Sequence, residues 1–199
     1  MNEKRFLGTV FALGLTQGKA ALRTVASRTG FELSESRRTA QGLQAKGLVE
    51  LSGPYVSLTK KGRRSIRVVF IGGGFEIIHP GHIHTVERAR KLGDVLVVVV
   101  ARDSTIRKRK GREPVAGEEE RVKLLSSLRQ VDAAMLGVEG DIYLSLERVK
   151  PDVVALGYDQ HHVESEILRE GAKRGMRLEV VRLDTPHPLI KTSRLLQET

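Results

Sequence analysis

The sequence predicts an α/β protein in which a doubly wound domain with a five-stranded parallel sheet follows a small, mainly helical domain. After Ile66, five short Val- and Leu-rich runs alternate with amphipathic segments. Continuous apolar runs of this kind are typical of parallel strands covered on both faces. The first 65 residues instead have helical periodicity and carry 12 Lys and Arg against 4 Asp and Glu. We therefore divide the chain into residues 1–65 and 66–199.

Three helices and a hairpin are expected in residues 1–65. The second helix should start near Gly18, and a turn is expected at Gly30. The third helix should have Ser34 as its N-cap and Gly47 at its C-terminal end. Residues 52–54, Ser-Gly-Pro, should form the turn of the hairpin. Apolar residues recur at helical spacing in the three helices: Phe6, Val10 and Leu13; Leu22, Val25 and Ala26; Ala40 and Leu43.

This order resembles a winged helix-turn-helix, a module that binds DNA in many proteins. The resemblance covers about 60 residues and rests on the run from Thr29 to Val49 and on "YVSLTKKG". The outward residues of the third helix, which would reach base edges, are Arg37, Arg38, Gln41 and Gln44. Residues 60–66 should form a basic hinge, and its candidates for phosphate contacts are Lys60, Lys61, Arg63 and Arg64. The alternative is a winged helix that packs against a protein neighbour and binds no nucleic acid.

The second domain is expected to be Rossmann-like. Its five predicted strands are "IRVVFIG", "DVLVVVVA", "VDAAMLG", "DVVALG" and "RLEVVRL". Helices are expected near residues 81–92, 117–130, 141–150 and 163–175, and a last one near Ile190. In such sheets the ligand crevice lies beyond the carboxyl ends of the strands.

The composition excludes several classes of protein. The chain has no cysteine, so disulfides, thiolate nucleophiles and Cys-ligated zinc are excluded. No run approaches about 18 apolar residues, and the N-terminus lacks a secretory signal, so we expect a cytoplasmic protein without membrane contact. The formal net charge of +10 is concentrated in the first domain, which favours a polyanionic partner there.

A glycine loop after the first strand of the second domain predicts a phosphate site. "VVFIGGGFEIIHPGHIHTVERARK" reads as a strand, a glycine loop and a helix that starts at Gly81. Glycines let the backbone approach an anion, and a helix N-terminus supplies free N–H groups. Neither the dinucleotide-binding nor the Walker pattern is present. Two histidines three residues apart, His79 and His82, make the phosphate interpretation specific.

H-x-G-H after G-x-F-[DE] resembles the nucleotidyltransferase superfamily. That superfamily includes glycerol-3-phosphate cytidylyltransferase, phosphopantetheine adenylyltransferase and nicotinamide mononucleotide adenylyltransferase. The resemblance implies that His79 and His82 contact the triphosphate and stabilise charge at the α-phosphate. It also implies that Gly73, Gly74 and Phe75 form the loop beneath the nucleotide.

Further residues match the superfamily's pattern downstream. The resemblance implies that a basic run in a mobile loop reaches the β- and γ-phosphates. It assigns the acceptor to Glu76 and Gln160, and a catalytic role to Lys110. The remaining nucleotide-binding candidates are Lys108, Arg112 and Arg121, then Gly157 and Asp159 in "LGYDQHH", and Thr192 and Ser193 in "LIKTSRLL".

The variant closest in pattern is the archaeal-type FAD synthase, which shares "HPGH", "ARDSTIRKRKGREPV", "LGYDQ" and "AKRGMRLEVVRL" in that order. Three positions depart from the superfamily: Gly74 and Glu76 replace the Thr and Asp of G-T-F-D, "TPHP" replaces R-T-E-G, and Lys191 replaces a hydroxyl residue. The resemblance implies transfer of a nucleotide from an NTP to a phosphorylated acceptor with release of pyrophosphate, most simply from ATP to FMN, with Mg²⁺ or another divalent cation.

Two alternatives stay open at this point. One is a CTP-dependent cytidylyltransferase of a phospho-alcohol, of the glycerol-3-phosphate or ethanolamine-phosphate type. The other is a DNA-binding regulator whose α/β domain senses nucleotide or flavin. By analogy with the superfamily, and because two-fold symmetry suits a winged helix on double-stranded DNA, we also expect a homodimer.

Overall fold

The computed structural model describes residues 2–185 and divides the chain into two units, Met1–Arg67 and Val68–Thr199. The helix predicted near Ile190 therefore lies outside the described residues, and so do the predicted site residues Thr192 and Ser193. No helix within residues 2–185 is both long and apolar enough to cross a membrane.

In its described part, the first unit has four helices and an antiparallel sheet with the strand order β1-β3-β2. The elements are α1 (Glu3–Gln17), β1 (Ala20–Ala21), α2 (Leu22–Thr29), α3 (Leu33–Ala45), β2 (Val49–Ser52), β3 (Tyr55–Leu58) and α4 (Lys60–Arg64). The apolar residues predicted to face inward, such as Phe6, Leu13, Val25 and Leu43, are at most 1% exposed. Burial of these faces holds the three longer helices together.

Two local predictions for this unit are wrong. Ser34 is not the N-cap of α3, because Glu32 occupies that position and its carbonyl accepts the N–H of Ser36 at 2.9 Å. Residues 60–64 are helical rather than part of a hinge. Thr59 caps this helix by accepting the N–H of Gly62 at 3.0 Å, and a Cβ at Gly62 would lie 1.9 Å from the Leu48 carbonyl oxygen.

The second unit contains the predicted five-stranded parallel sheet, with the order β6-β5-β4-β7-β8. Its strands are β4 (Val68–Gly73), β5 (Val95–Val100), β6 (Ala133–Leu136), β7 (Val153–Leu156) and β8 (Glu179–Arg182). Its helices are α5 (Pro80–Arg90), α6 (Asp103–Lys110), α7 (Glu118–Ser126), α8 (Ile142–Val149) and α9 (Glu164–Lys173). The α/β prediction is thus confirmed.

Strand order fixes where a ligand crevice can form. From β4 the chain runs outward to β5 and β6, then returns to the other side of β4 to form β7 and β8. The crossovers therefore diverge between β4 and β7, and the loops that follow these two strands border an open crevice. The glycine loop follows β4, and the "GYDQ" run follows β7.

The basic run after β5 was expected in a mobile loop, and this expectation is wrong. Residues 103–110 form α6, which ends at Gly111 in the left-handed conformation (φ 66°). Ile106 anchors this helix with 3% exposure, while Lys108 and Lys110 lie among its exposed residues. The sequence did not predict this helix, because Ile106 is its single buried apolar residue and one such residue shows no helical periodicity.

Candidate nucleotide-binding site

The glycine loop has one position where an added side chain would displace Phe75 and one where it would not. Phe75 has a positive φ of 51°, and its ring folds back so that a Cβ on Gly73 would lie 2.9 Å from it. A Cβ on Gly74 would meet only the Ile106 Cδ1 at 3.9 Å, an ordinary contact. The loop is therefore shaped by the pair Gly73 and Phe75, and space beside Gly74 is open.

The two motif histidines lie against each other at the start of α5. His79 is the N-cap residue and Pro80 occupies the first turn, so the chain enters the helix directly from the loop. The imidazole rings stack with centroids 3.9 Å apart, and the Phe75 ring lies 5.2 Å from that of His82. The Nδ1 atoms of both imidazoles are buried and have no hydrogen-bond partner among residues 2–185. Buried polar atoms without partners are costly, so these two atoms are candidates for hydrogen bonds to a ligand.

The environment keeps both imidazoles neutral near pH 7. Burial, reinforced by the neighbouring His79, lowers the pKa of His82 to about 4, against the opposing effects of the Ile77 backbone and Asp159. Burial likewise lowers the pKa of His79, and the Asp159 carboxylate partly offsets it. Two stacked rings in one buried site cannot both carry a proton cheaply.

Three predicted residues form an ion cluster next to the glycine loop. The Glu76 side chain is 1% exposed, and its carboxylate pairs with Lys110 and, at 2.7 Å, with the Arg112 Nη1. Burial would raise the pKa of Glu76, but hydrogen bonds from Arg112 and Lys110 hold it below its usual value. Glu76, predicted to bind the acceptor, thus holds the two cations predicted to bind phosphate.

Arg121 lies inside the protein rather than in the crevice. Its side chain is 1% exposed, and it donates to the Gly74 carbonyl at 2.5 Å, the Asp103 carboxylate at 2.6 Å and the Ala116 carbonyl at 3.0 Å. In this arrangement, Arg121 supports the glycine loop and the start of α6 from behind. Its predicted contact with nucleotide stays a prediction.

The loop after β7 is tied to the end of β4. The Gln160 side chain donates to the Gly72 carbonyl at 2.6 Å and accepts the Gly157 N–H at 3.2 Å. The oxygen and the nitrogen of the Gln160 amide are therefore both hydrogen-bonded, and they join the loop after β7 to the end of β4. Asp159 is exposed, and its charge acts on both histidines. The structure thus brings Gly157, Asp159 and Gln160 to the same crevice as the histidine pair.

The described part of the chain contains no ready metal site. Among residues 2–185, no three His, Asp or Glu side chains cluster in a way that could hold a metal ion. The one carboxylate within the loop region of β4, Glu76, is already paired with two cations.

An open depression of about 450 Å³ adjoins His79 along the first two turns of α5. Its apolar residues are Ile78, Pro80 and Ile83, and His84 and Glu87 complete the lining. We call this depression the α5 groove. Sequence reasoning missed it, because apolar residues around a helix start are normally read as core.

Sequence reasoning also missed three supporting side chains. Arg102 donates to the Gly137 carbonyl at 2.9 Å and pairs with Glu118 at 2.7 Å, and Glu118 accepts the Asp103 N–H at 2.7 Å. Arg182 bonds the carbonyls of the loop after β7. These residues carry no motif, and only position at a strand or helix end could have indicated them.

The second unit matches known proteins over most of its length. A family model described as cytidylyltransferase-like matches residues 70–197. An FAD synthase of Ferroglobus placidus is 47% identical over 118 residues, which span 59% of this chain and 76% of the relative. An FAD synthase of Thermococcus kodakarensis is 42% identical over 138 residues, 68% of this chain and 92% of the relative.

A solved structure described as the lipopolysaccharide core biosynthesis protein of Thermoplasma volcanium is 45% identical, with a TM-score of 0.58. The match covers 60% of this chain and 98% of that one. A protein of unknown function from Archaeoglobus fulgidus, at 20% identity and a TM-score of 0.51, shares the fold. That match covers 62% of this chain and 93% of that one.

Proposed function

The chain belongs to the cytidylyltransferase-like family of nucleotidyltransferases, and we propose that it adenylates FMN to FAD. The observation that carries this proposal is the stacked pair His79 and His82, whose buried Nδ1 atoms lack partners within the described residues. FAD synthases at 40–50% identity support the choice of ATP and FMN.

In the proposed reaction, a phosphate oxygen of FMN attacks the α-phosphorus of ATP. The bond from the α-phosphorus to the bridging oxygen breaks, and that oxygen leaves with pyrophosphate. The acceptor is already a competent nucleophile, so the protein must hold the two groups in line and stabilise the charge that develops. Neutral imidazoles of His79 and His82 would donate hydrogen bonds to phosphate oxygens, and the α5 N-terminus adds backbone N–H groups.

The cations for the β- and γ-phosphates would come from Lys110 and Arg112. Both are more than a third exposed at their side chains and turn toward Glu76 in this structure. A triphosphate would compete with the Glu76 carboxylate for them. A divalent cation, when bound, would neutralise phosphate charge, and Mg²⁺ is usually held by phosphate oxygens and water with few protein ligands.

We further propose that the isoalloxazine ring of FMN lies in the α5 groove. The groove shares His79 with the phosphate site, and its floor of Ile78, Pro80 and Ile83 suits a flat, largely apolar ring. FMN places its ring one ribityl chain from its phosphate, so the ring site must lie within that reach of the phosphate site, as the groove beside His79 does. Ile83→Gln removes apolar contact without adding charge and should raise KM for FMN about 10-fold while KM for ATP is unchanged.

The control for this substitution is Leu124→Gln, which changes a 45% exposed leucine on α7 in the same way. Equal KM values for FMN in the two variants would exclude the groove as the ring site. Inhibition by lumiflavin, which has the ring but no phosphate, should weaken in Ile83→Gln alone.

A substrate panel tests the reaction itself. The full chain is incubated with ATP or CTP and with FMN, glycerol-3-phosphate or ethanolamine phosphate, and pyrophosphate and product mass are measured. We expect FAD from ATP and FMN. Product from CTP and a phospho-alcohol alone would support the cytidylyltransferase alternative instead.

We also propose that the first unit is a winged helix-turn-helix that binds double-stranded DNA. The order of α1, α2, α3 and the β2–β3 hairpin supports the first part, and the exposure of Arg37, Arg38, Gln41 and Gln44 on α3 supports the second. Lys60 and Lys61 are also exposed, and Lys61 donates to the Lys46 carbonyl at 2.8 Å. If the protein is also a regulator, it would bind DNA in addition to its enzymatic activity. The expected homodimer stays a prediction.

Gel shifts with the DNA upstream of the protein's own gene test this proposal. Binding should weaken steeply with salt, and the double substitution Arg37→Ala and Arg38→Ala should reduce it. The same variant should adenylate FMN at the wild-type rate. No shift at low salt would leave the first unit without a role in DNA binding.

A further inference from the structure

Arg182, the last residue of β8, is not among the predicted site residues, yet its side chain donates several hydrogen bonds to the loop after β7. Its Nη1 donates to the carbonyls of Gly157 at 3.1 Å and Gln160 at 2.9 Å, and its Nη2 donates to the carbonyl of His162 at 2.7 Å. Its Nε pairs with Glu164 at the start of α9. One guanidinium therefore holds three carbonyls and the first turn of the next helix.

The same loop is fixed on its other side by Gln160, which bonds the Gly72 carbonyl at the end of β4. The loop is thus tied to both β4 and β8, and Asp159 lies in sequence between Gly157 and Gln160, whose carbonyls accept from the Arg182 Nη1. The Gln160 side chain ties the loop to the end of β4, and Arg182 ties it to the end of β8.

We propose that Arg182 is a positioning residue for nucleotidyl transfer, which acts by fixing the loop that carries Asp159 at the crevice between β4 and β7. This inference rests on the proposed function. Arg182 touches no reacting atom in this role. Its donors are committed to protein carbonyls and a carboxylate, so it differs from Lys110 and Arg112, whose partner Glu76 a phosphate can displace.

Asp159, which lies in this loop, affects the charge state of the two motif histidines. Burial lowers the pKa of both His79 and His82, and the Asp159 carboxylate opposes that effect on both rings. The other groups that act on His82 are His79, Lys110 and the Ile77 backbone. If the loop is released, Asp159 moves away and both imidazoles lose a stabilising charge. Their pKa values should then fall further.

The test compares Arg182→Gln, Arg182→Lys and Asp159→Asn in the full chain. Arg182→Gln should lower kcat roughly 10-fold, within the range of coupling between contacting residues, and move the histidine-dependent midpoint of the pH profile to lower pH. This direction holds whichever protonation state is active, because both imidazoles titrate lower. Arg182→Lys keeps the charge but lacks the fork that reaches three carbonyls, so it should resemble Arg182→Gln.

The double variant, with Arg182→Gln and Asp159→Asn, should show no larger midpoint shift than Asp159→Asn alone. Arg177→Gln, at an exposed arginine just before β8, controls for loss of charge. Additive shifts, an unmoved midpoint in Arg182→Gln or wild-type behaviour of Arg182→Lys would each overturn the proposal. NMR titration of the imidazoles in the same proteins reads the pKa values without turnover, so the proposal can be tested even if FMN is not the acceptor.

Discussion

Replacement of His82 by alanine tests the central claim about the site. The ring stacks on His79 at 3.9 Å and lies 5.2 Å from Phe75, so its loss removes one imidazole and loosens the other. Loss of one preorganised donor to a developing oxyanion typically costs about 2.7–4 kcal/mol, or 100- to 1000-fold in kcat. We expect kcat for FAD formation to fall by roughly that factor, measured from pyrophosphate release with saturating ATP and FMN.

The matched control is Val86→Ala, which removes packing one turn further along the same face of α5. Val86 is 1% exposed, so this change weakens the core near the site and leaves both imidazoles in place. It should lower the melting temperature and leave kcat within a few-fold of the wild type. A His82→Ala protein that retains most of its kcat, or a Val86→Ala protein that loses as much, would refute the role given to the imidazole.

Three further outcomes are expected. Because the pKa of His82 is about 4 when folded and 6.5 ordinarily, the unfolded chain binds a proton that the folded chain excludes between these values. Stability should therefore fall by up to about 3 kcal/mol as pH drops through that window, and melting temperatures should fall less in His82→Ala. Glu76→Gln should tighten pyrophosphate binding roughly fivefold by calorimetry, because Lys110 and Arg112 lose their competing carboxylate. Gly73→Ala should lower both melting temperature and activity by displacing Phe75, whereas Gly74→Ala should be nearly neutral in thermal melts.

Strands made of unbroken apolar runs could be predicted from the sequence. The run Val95–Val100 is wholly buried, and such a run has few alternatives to a central parallel strand. The histidine pair could also be predicted, since H-x-G-H fixes two residues on adjoining turns of one helix start. The prediction of the α3 N-cap was wrong. Serine is a favourable N-cap residue, but after the turn at Gly30 the helix already begins at Leu33, with Glu32 rather than Ser34 as its N-cap.

The support of the site could not be predicted, because it depends on groups that are distant in sequence. Glu76 meets Lys110 and Arg112 only because α6 ends over the glycine loop. Arg121 was read as a nucleotide contact from its place at a helix start, yet its donors meet the Gly74 carbonyl 47 residues away. A linear pattern identifies such residues as important without saying which of their contacts matter.

The cations of the site are partly offset without ligand, and this explains how it can accept a polyanion. Lys110 and Arg112 share the single carboxylate of Glu76, and burial keeps His79 and His82 uncharged. An arriving triphosphate can take over the two cations and raise the pKa of both imidazoles, because negative charge favours their protonated form. Positive charge thus becomes available only as the phosphate arrives. Cations that stayed unpaired in the same crevice without ligand would destabilise the fold. The pKa of His82, followed by NMR during titration with pyrophosphate, should therefore rise from about 4 toward its ordinary value.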